Sequence, residues 1–349
     1  MLKIQHHRGP DFTGRKYYSH AFLGHNRLSI LDLSKRSNQP MESNSKRYVV
    51  VFNGEIYNFK ELKKLLVSDY NFVTKSDTEI ILAAWEKWGE KCLNKFNGMF
   101  SLCIWDKKQK SAFFARDRFG QKPLYFANKE GKLFFSSEIK GLLIAGITSQ
   151  PNYNMWLKYL SNSLSYDLNQ TFFKNILQLG AGQSATWSIN KGLNICQWYD
   201  LQTEISNKKY NTSPQRIKEL LYDVGLVHMR SDVKVGISLS GGFDSSALLA
   251  IFNETNNLHR EVNCFSVDFE GNTNYSEKKW IKSSAKHFNI PFEILSYNIK
   301  NFISDIAPLI WHSEGPIGGL MHCARAHLMK SARLNSKTFV MQDGTGLDE

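Results

Sequence analysis

The sequence predicts two successive folds: an α+β sandwich over residues 1–150, and an α/β parallel sheet over residues 207–349. A connecting region, 151–206, is expected between them. Three observations carry this reading. The chain has 349 residues, enough for two cores. Its first part reads as short, aromatic-rich strands interrupted by two helices. From about Pro214 strands alternate with helices, the pattern of a parallel sheet wound through right-handed crossovers.

The elements follow in chain order. Tyr48 to Phe52 is an apolar strand running into Asn53-Gly54, and Phe100 to Trp105 is a second. Ser111–Ala115, Leu124–Ala127 and Lys132–Ser136 are shorter strands. One helix begins near Asn58 and carries Phe59, Leu62, Leu65 and Leu66. The next begins near Asp77, with Ser76 as its cap and Glu79 as capping-box partner. Residues 151–206 hold only an amphipathic stretch near Met155–Leu160 and a Gly-Ala-Gly turn. Beyond them, Ile217 to Val227 repeats with helical spacing and Val233–Leu239 is a strand. Ala247–Phe252 is helical, and Val262–Val267 and Thr338–Met341 are strands. Helices are expected at Ser276–Phe288, Asn301–Trp311 and Leu320–Ala332, with a short strand at Phe292–Leu295.

Composition narrows the function classes. An apolar fraction of 42% with 22% charged residues excludes disordered and collagen-like chains. No apolar run reaches the roughly 20 residues of a membrane span, and the N-terminal MLKIQHHRGPDF has no apolar signal core. The five cysteines are scattered, without C-x-x-C spacing, which predicts reduced thiols in a cytoplasmic protein rather than disulfides or zinc. A net charge of +12 could serve nucleic acid, an anionic membrane or a phosphate-bearing substrate. No long basic block or nucleic-acid-binding motif accompanies it, so neither nucleic acid nor membrane is expected as a partner.

The most specific local signal is Ser240-Gly-Gly-Phe-Asp-Ser-Ser246 between a strand and a helix. The glycines let the backbone approach an anion, and the helix amino terminus attracts it. Asp244 would set a negative charge beside phosphates, a conflict that a bridging divalent cation resolves. The plainer alternative is a helix-capping turn. The string is neither a Walker A loop nor a dinucleotide fingerprint.

The loop resembles the SGGxDSS pyrophosphate loop of the ATP pyrophosphatase family. Further strings lie upstream: Arg8-Gly-Pro-Asp11, His25-Asn-Arg-Leu-Ser-Ile-Leu-Asp32, Phe52-Asn-Gly-Glu-Ile-Tyr-Asn58, Ser76-Asp-Thr-Glu79, Ala115 to Tyr125 and Phe135 to Lys140. In this order they resemble glutamine-hydrolysing asparagine synthetases over nearly the whole chain. The resemblance implies a sandwich of the N-terminal-nucleophile type, followed by a sheet of the ATP pyrophosphatase type. It implies ammonia released from glutamine in the first domain. In the second, ATP with Mg²⁺ would adenylate aspartate or another acid, which ammonia converts to an amide.

Site residues follow position by position. Arg27 would clamp the glutamine α-carboxylate, or serve only a structural ion pair. Glu55 and Asp77 would receive the α-ammonium, though Asp77 could simply cap a helix. Asn53 and Gly54 would form an oxyanion hole, or else an Asn-Gly turn. ATP would contact Leu239, Ser240, Gly241, Gly242, Asp244, Ser245, Ser246, Val267, Asp343 and Gly344. Mg²⁺ would be held by Asp244 and Asp348. Glu314-Gly-Pro316 is a weak match to the acceptor region. RDRFGQKPLYF is expected to close the sandwich. A homodimer is compatible with this reading.

Departures from the family pattern stand out. The family's nucleophile is a cysteine at the processed N-terminus, within Met-Cys-Gly-Ile, whereas position 2 is Leu2 and the earliest cysteine is Cys92. The chain as printed is therefore expected not to hydrolyse glutamine, and to be truncated at both ends. Asp343, Thr345 and Leu347 replace the commoner Ser, Glu and Ala, which opens amidation of another carboxylate, in surface polysaccharide or peptide synthesis. A nucleotide-binding fragment without catalysis is the remaining alternative.

Overall fold

The computed structural model describes residues 1–207, 210, 212–255, 262–270 and 276–346. The chain divides into two compact units, Met1–Tyr210 and Asn211–Glu349. Among the described residues, no helix is long and apolar enough to cross a membrane.

The first unit contains β1 (Phe12–Tyr18), β2 (Ala21–Arg27), β3 (Met41–Glu42), β4 (Tyr48–Ile56), α1 (Phe59–Leu66), α2 (Asp77–Trp88), β5 (Gly98–Asp106), β6 (Ser111–Arg116), β7 (Tyr125–Lys129) and β8 (Lys132–Ser136). It continues with α3 (Ile139–Ile144), α4 (Tyr153–Asn162), β9 (Leu177–Gln178), β10 (Gln183–Ser188), β11 (Gly192–Gln197) and α5 (Leu201–Asn207). A six-stranded sheet runs β11-β10-β6-β5-β4-β3. Opposite lie a two-stranded sheet, β1-β2, and a three-stranded one, β8-β7-β9.

Strand alternation sorts the six-stranded sheet into two faces. Val50, Phe52, Leu102, Ile104 and Phe113 pack on α1 and α2 residues such as Leu62, Leu66 and Ile81. Val49, Val51, Cys103, Trp105 and Phe114 meet Leu23 of β2, Phe126 of β7 and Leu124 just before β7. Behind these, Ala127 and Phe134 pack on Ile139 and Leu142 of α3. The layers are therefore helix, sheet, sheet, helix.

Residues 151–206 correct the expected connecting region. They belong to the first unit, because β10 pairs with β6 and β11 extends the sheet. The polar, Gly-containing sequence hid these strands because β11 lies at an exposed edge, where one face needs no apolar residues. A second correction concerns α2. Ser76 caps it, its Oγ accepting from the Thr78 amide at 3.1 Å. Glu79, however, reaches past the expected capping box to accept from Val73 N (3.0 Å) and Thr74 N (2.7 Å).

The second unit comprises α6 (Pro214–His228), β12 (Val235–Ser238), α7 (Phe243–Glu254), β13 (Asn263–Phe269), α8 (Lys278–His287), β14 (Phe292–Tyr297), α9 (Phe302–Ser313), α10 (Leu320–Ser336) and β15 (Val340–Gln342). Its four strands are parallel in the order β14-β13-β12-β15. Leu248, Leu249, Phe252 and Ile281 cover one face over Val235 and Ile237. Leu328 and Ala332 cover the other over Phe265. Strands leave β12 toward β13 on one side, while β15 lies on the other. The gap between β12 and β15 is thus a topological switch point, where open parallel sheets bind ligands.

Candidate functional site

Two sites emerge, one in each unit. The first is the polar end of a cavity of about 1030 Å³ over the six-stranded sheet. β4 carries Asn53, Gly54 and Glu55 to its wall, β2 carries His25 and Arg27, and the α2 start brings Asp77. The backbone at Gly54 allows no side chain: a Cβ there would lie 2.1 Å from the Met99 carbonyl oxygen. Asn53 Nδ2 donates to Ser137 Oγ at 3.5 Å.

Glu55 and Asp77 are both buried. Burial, reinforced by the Asp77 charge, pushes the Glu55 carboxyl up to about 8, with Lys122 opposing. Burial raises Asp77 to about 6, although its carboxylate accepts from the Ile56 amide at 3.0 Å. Two buried carboxyls sharing one end of a cavity favour an incoming cation, which would stabilise their ionised forms.

Arg27 is buried, and its terminal nitrogens are already engaged. Nη1 donates to Ser34 O (2.8 Å) and Asn38 Oδ1 (2.9 Å), while Nη2 donates to Leu31 O (3.2 Å) and Asp32 O. The guanidinium therefore holds the 31–38 loop at the cavity wall, rather than standing as an open fork.

Two wall residues escaped the sequence reading. His25 Nε2 pairs with Phe52 O at 3.0 Å, and burial pulls its imidazole down to about 4. Lys122 lies within the RDRFGQKPLYF string read there as structural, and burial lowers its ammonium. Asp117, from the same string, places it. Its carboxylate accepts from the amides of Phe100, Phe119, Gln121 and Lys122 at 2.9–3.1 Å.

The second site lies at the switch point. Leu239 is buried, donating its amide to Phe265 O at 2.9 Å and accepting from Ser266 Oγ. The loop after it binds itself. Ser245 Oγ accepts from Ser240 N (3.2 Å) and pairs with Ser240 Oγ (3.0 Å), and Ser240 Oγ accepts from Gly242 N (3.3 Å). Gly241 takes φ +85°, a left-handed turn open to glycine. Gly242 caps α7, whose first turn holds Asp244. Ser246 Oγ pairs with Ser284 Oγ at 3.2 Å, facing α8.

Gly344 packs on this loop, where a Cβ would lie 3.0 Å from Asp244 C and Ser245 N. Asp343 is tied to Arg325 and to Thr345, whose amide donates at 2.8 Å. These contacts outweigh burial and hold its carboxyl low. The structure thus brings together the loop and the 343–344 segment. Val267 lies half-buried in β13, with its side chain packed on the α10 face. Glu314, in the left-handed region at φ 57°, ends α9 as a turn. Asp348 lies outside the described residues.

Among the described residues, no group of three or more His, Cys, Asp or Glu is arranged around a metal position. The donor chemistry nevertheless suits Mg²⁺. Asp244 is a half-buried carboxylate in a glycine-rich loop at a helix amino terminus, and Mg²⁺ characteristically takes one or two carboxylates together with substrate phosphates and water.

Comparison with known proteins follows the two units. Residues 1–199 match the family model described as a glutamine amidotransferase domain, and residues 216–349 match that described as asparagine synthase. The chain is 34% identical over 342 residues to the putative asparagine synthetase (glutamine-hydrolyzing) 2 of Methanocaldococcus jannaschii, covering 91% of this chain and 65% of that protein. It is 30% identical over 344 residues to asparagine synthetase (glutamine-hydrolyzing) 1 of Bacillus subtilis, covering 98% and 53%. Similarity at 29% over 364 residues extends to the amidase chyE of Penicillium rubens, covering 100% and 53%. The chain thus spans about half to two thirds of the length of these curated relatives.

Proposed function

Because the chain belongs to the family of glutamine-hydrolysing asparagine synthetases, we propose that its first unit binds glutamine and its second activates a carboxylic acid with ATP for amidation. The observation that carries this is the junction at the switch point, where Gly344 packs against the Asp244–Ser245 start of α7. It sets the 343–344 segment against the amino-terminal turn of α7, whose free amides favour an anion.

In the first unit, Glu55 and Asp77 take the α-ammonium and Asn53 with Gly54 offers donors to the side-chain carbonyl. Arg27 contributes positive charge to the α-carboxylate while fixing the 31–38 loop. In the second unit, Leu239, Ser240–Ser246, Val267, Asp343 and Gly344 surround ATP. Bound Mg²⁺, held by Asp244 and Asp348, would offset phosphate charge. The acceptor carboxylate attacks the α-phosphorus and pyrophosphate leaves. Ammonia then adds to the acyl carbon, AMP leaves, and the amide forms after loss of a proton.

Within these 349 residues, no cysteine serves the glutamine end as an activated nucleophile. Cys103 is the thiol on the cavity wall, and burial pushes it far above its ordinary value. The polypeptide should therefore bind glutamine without hydrolysing it. Titration calorimetry with ATP·Mg²⁺ and, separately, with glutamine tests the two units. Binding of both supports the reading, and absence of ATP binding overturns it.

A second reading concerns the acceptor. Thr345 stands where the family commonly has glutamate, and it is tied to Asp343. This favours an acid other than aspartate. Ammonia-dependent AMP release across a panel of carboxylic acids decides between them.

A further inference from the structure

The positive charge of this protein sits in one part of the chain. Residues 1–210 hold 30 of the 44 lysines and arginines but only 17 of the 32 acidic residues. The rest of the chain is nearly neutral.

Several of these cations gather at the sheet end opposite Asn53. Strand register aligns Tyr48, Asp106, Ser111, Ser188 and Gly192 across β4, β5, β6, β10 and β11. Three turns therefore project from this edge, at 43–47, 107–110 and 189–191. The β1–β2 turn joins them. Tyr18 Oη donates to Glu42 at 3.0 Å, and Lys107 Nζ lies 5.8 Å from the centre of the Tyr18 ring. The β7–β8 turn lies at the same end, because β8 leads away from it to Ser137, which meets Asn53.

Five lysines on these turns, Lys46, Lys108, Lys110, Lys132 and Lys191, are exposed. Among the described residues none of the five forms an ion pair. The acids beside them are already engaged: Glu42 by Lys16 (3.4 Å) and Lys107 (3.6 Å), and Asp106 by Arg47 (2.6 Å). Glu130 is the remaining acid on the turns. Exposed apolar side chains stand among the lysines. Tyr17, 80% exposed, packs on Phe22 across the β1–β2 turn with ring centres 4.4 Å apart. Ile189, 63% exposed, sits on the β10–β11 turn. The sequence shows no basic block because separate turns supply these lysines one or two at a time, and only the sheet register assembles them.

The shape of the patch selects its partner. From the β3–β4 turn to the β10–β11 turn is four strand spacings, about 20 Å. A phosphate or nucleotide reaches one or two charges over such a width. A second copy of the same face is repelled by like charge. A nucleic-acid backbone meets the lysines but leaves Ile189 in water. An anionic bilayer is flat, carries charge along the whole 20 Å, and takes apolar and aromatic side chains into its interface.

We propose that this end of the first unit docks on an anionic lipid bilayer. The five lysines lie at the headgroups, and Tyr17, Phe22 and Ile189 enter the interface. The Asn53 end then faces away from the lipid. This docking does not depend on glutamine or ATP being the ligands of the two sites.

The test uses the 349-residue protein with vesicles of phosphatidylcholine, either alone or with roughly 30% phosphatidylserine. Co-sedimentation should occur with the anionic vesicles only, and should weaken as salt rises. Lys108→Gln with Lys110→Gln should weaken it by about tenfold or more, and Ile189→Ser by about threefold. Lys60→Gln with Lys64→Gln, exposed on α1 outside the patch, should change it by less than about twofold. No binding to anionic vesicles, equal binding to neutral ones, or an equal loss from both lysine pairs overturns the proposal. Binding of a homopolymeric RNA in place of the anionic vesicles assigns the patch to nucleic acid and also overturns it.

Discussion

Glu55 is buried beside Asp77, and burial pushes the two carboxyls up to about 8 and about 6. Both values lie above those of an unfolded chain, so the folded protein keeps protons that the unfolded chain has released. Stability therefore falls as pH rises, from 3.8 to about 6 for Asp77 and from 4.5 to about 8 for Glu55. His25, held neutral down to about 4, acts oppositely below 6.5. Between pH 6.5 and 8 the Glu55 effect stands clear of these. Thermal midpoints should drop across that interval, and Glu55→Gln should flatten the drop.

The same pair predicts a proton release. An α-ammonium arriving beside Glu55 favours its ionised form, so glutamine binding at pH 7 expels part of a proton. Calorimetry in phosphate and in Tris should give different apparent enthalpies. Glu55→Gln should weaken binding and remove the buffer difference. Equal enthalpies for the unaltered protein would remove Glu55 from the ammonium site.

Asp117 organises the turn that carries Lys122 through four amide hydrogen bonds. Asp117→Ala leaves four amide donors without their carboxylate, the buried Phe100 amide among them, and should destabilise the first unit by about 3 kcal/mol or more. Denaturant unfolding of the variant measures it. A loss within 0.5 kcal/mol, about the size of a neutral surface change, would contradict this account.

Gly344→Val places a branched side chain where even a Cβ would press on Asp244 and Ser245 at 3.0 Å. ATP affinity should fall by about tenfold or more, roughly 1.4 kcal/mol. Glutamine affinity, a property of the first unit, should be unchanged.

Thiol labelling checks the packing. Cys92, Cys103, Cys264 and Cys323 are buried and Cys196 is exposed. Burial pushes Cys92 and Cys264 up to about 12. One thiol per native chain should react promptly with an aromatic disulfide reagent, and Cys196→Ser should abolish that fast phase.

Much of this arrangement was legible in the sequence where one signal dominated. The Val235–Ser238 strand, the glycine loop and the α7 start follow directly from an apolar run broken by Gly-Gly. Ser76 was legible as a cap because a hydroxyl before an apolar helix has few other uses. β1, β2 and β11 were not, because their residues are half exposed and polar, and their pairing is non-local or at an edge. Lys122 and His25 were hidden for another reason. Their burial depends on segments distant in sequence, which no local pattern reports. The engagement of Arg27 by four acceptors on residues 31–38 was equally invisible, since nothing in the string signals a loop folding back over its own guanidinium.

The closure of the first unit has a consequence for synthesis on the ribosome. Arg116 donates to Lys122 O (2.7 Å), Gly120 O (2.6 Å) and Leu179 O (2.6 Å), and its own carbonyl accepts from Trp198 Nε1 at 3.1 Å. β6, complete at residue 116, waits for β10 to pair its second edge. The nascent chain must therefore emerge to about Trp198 before its central sheet can seal, and the cavity-bearing half can mature only after the ribosome has begun the other.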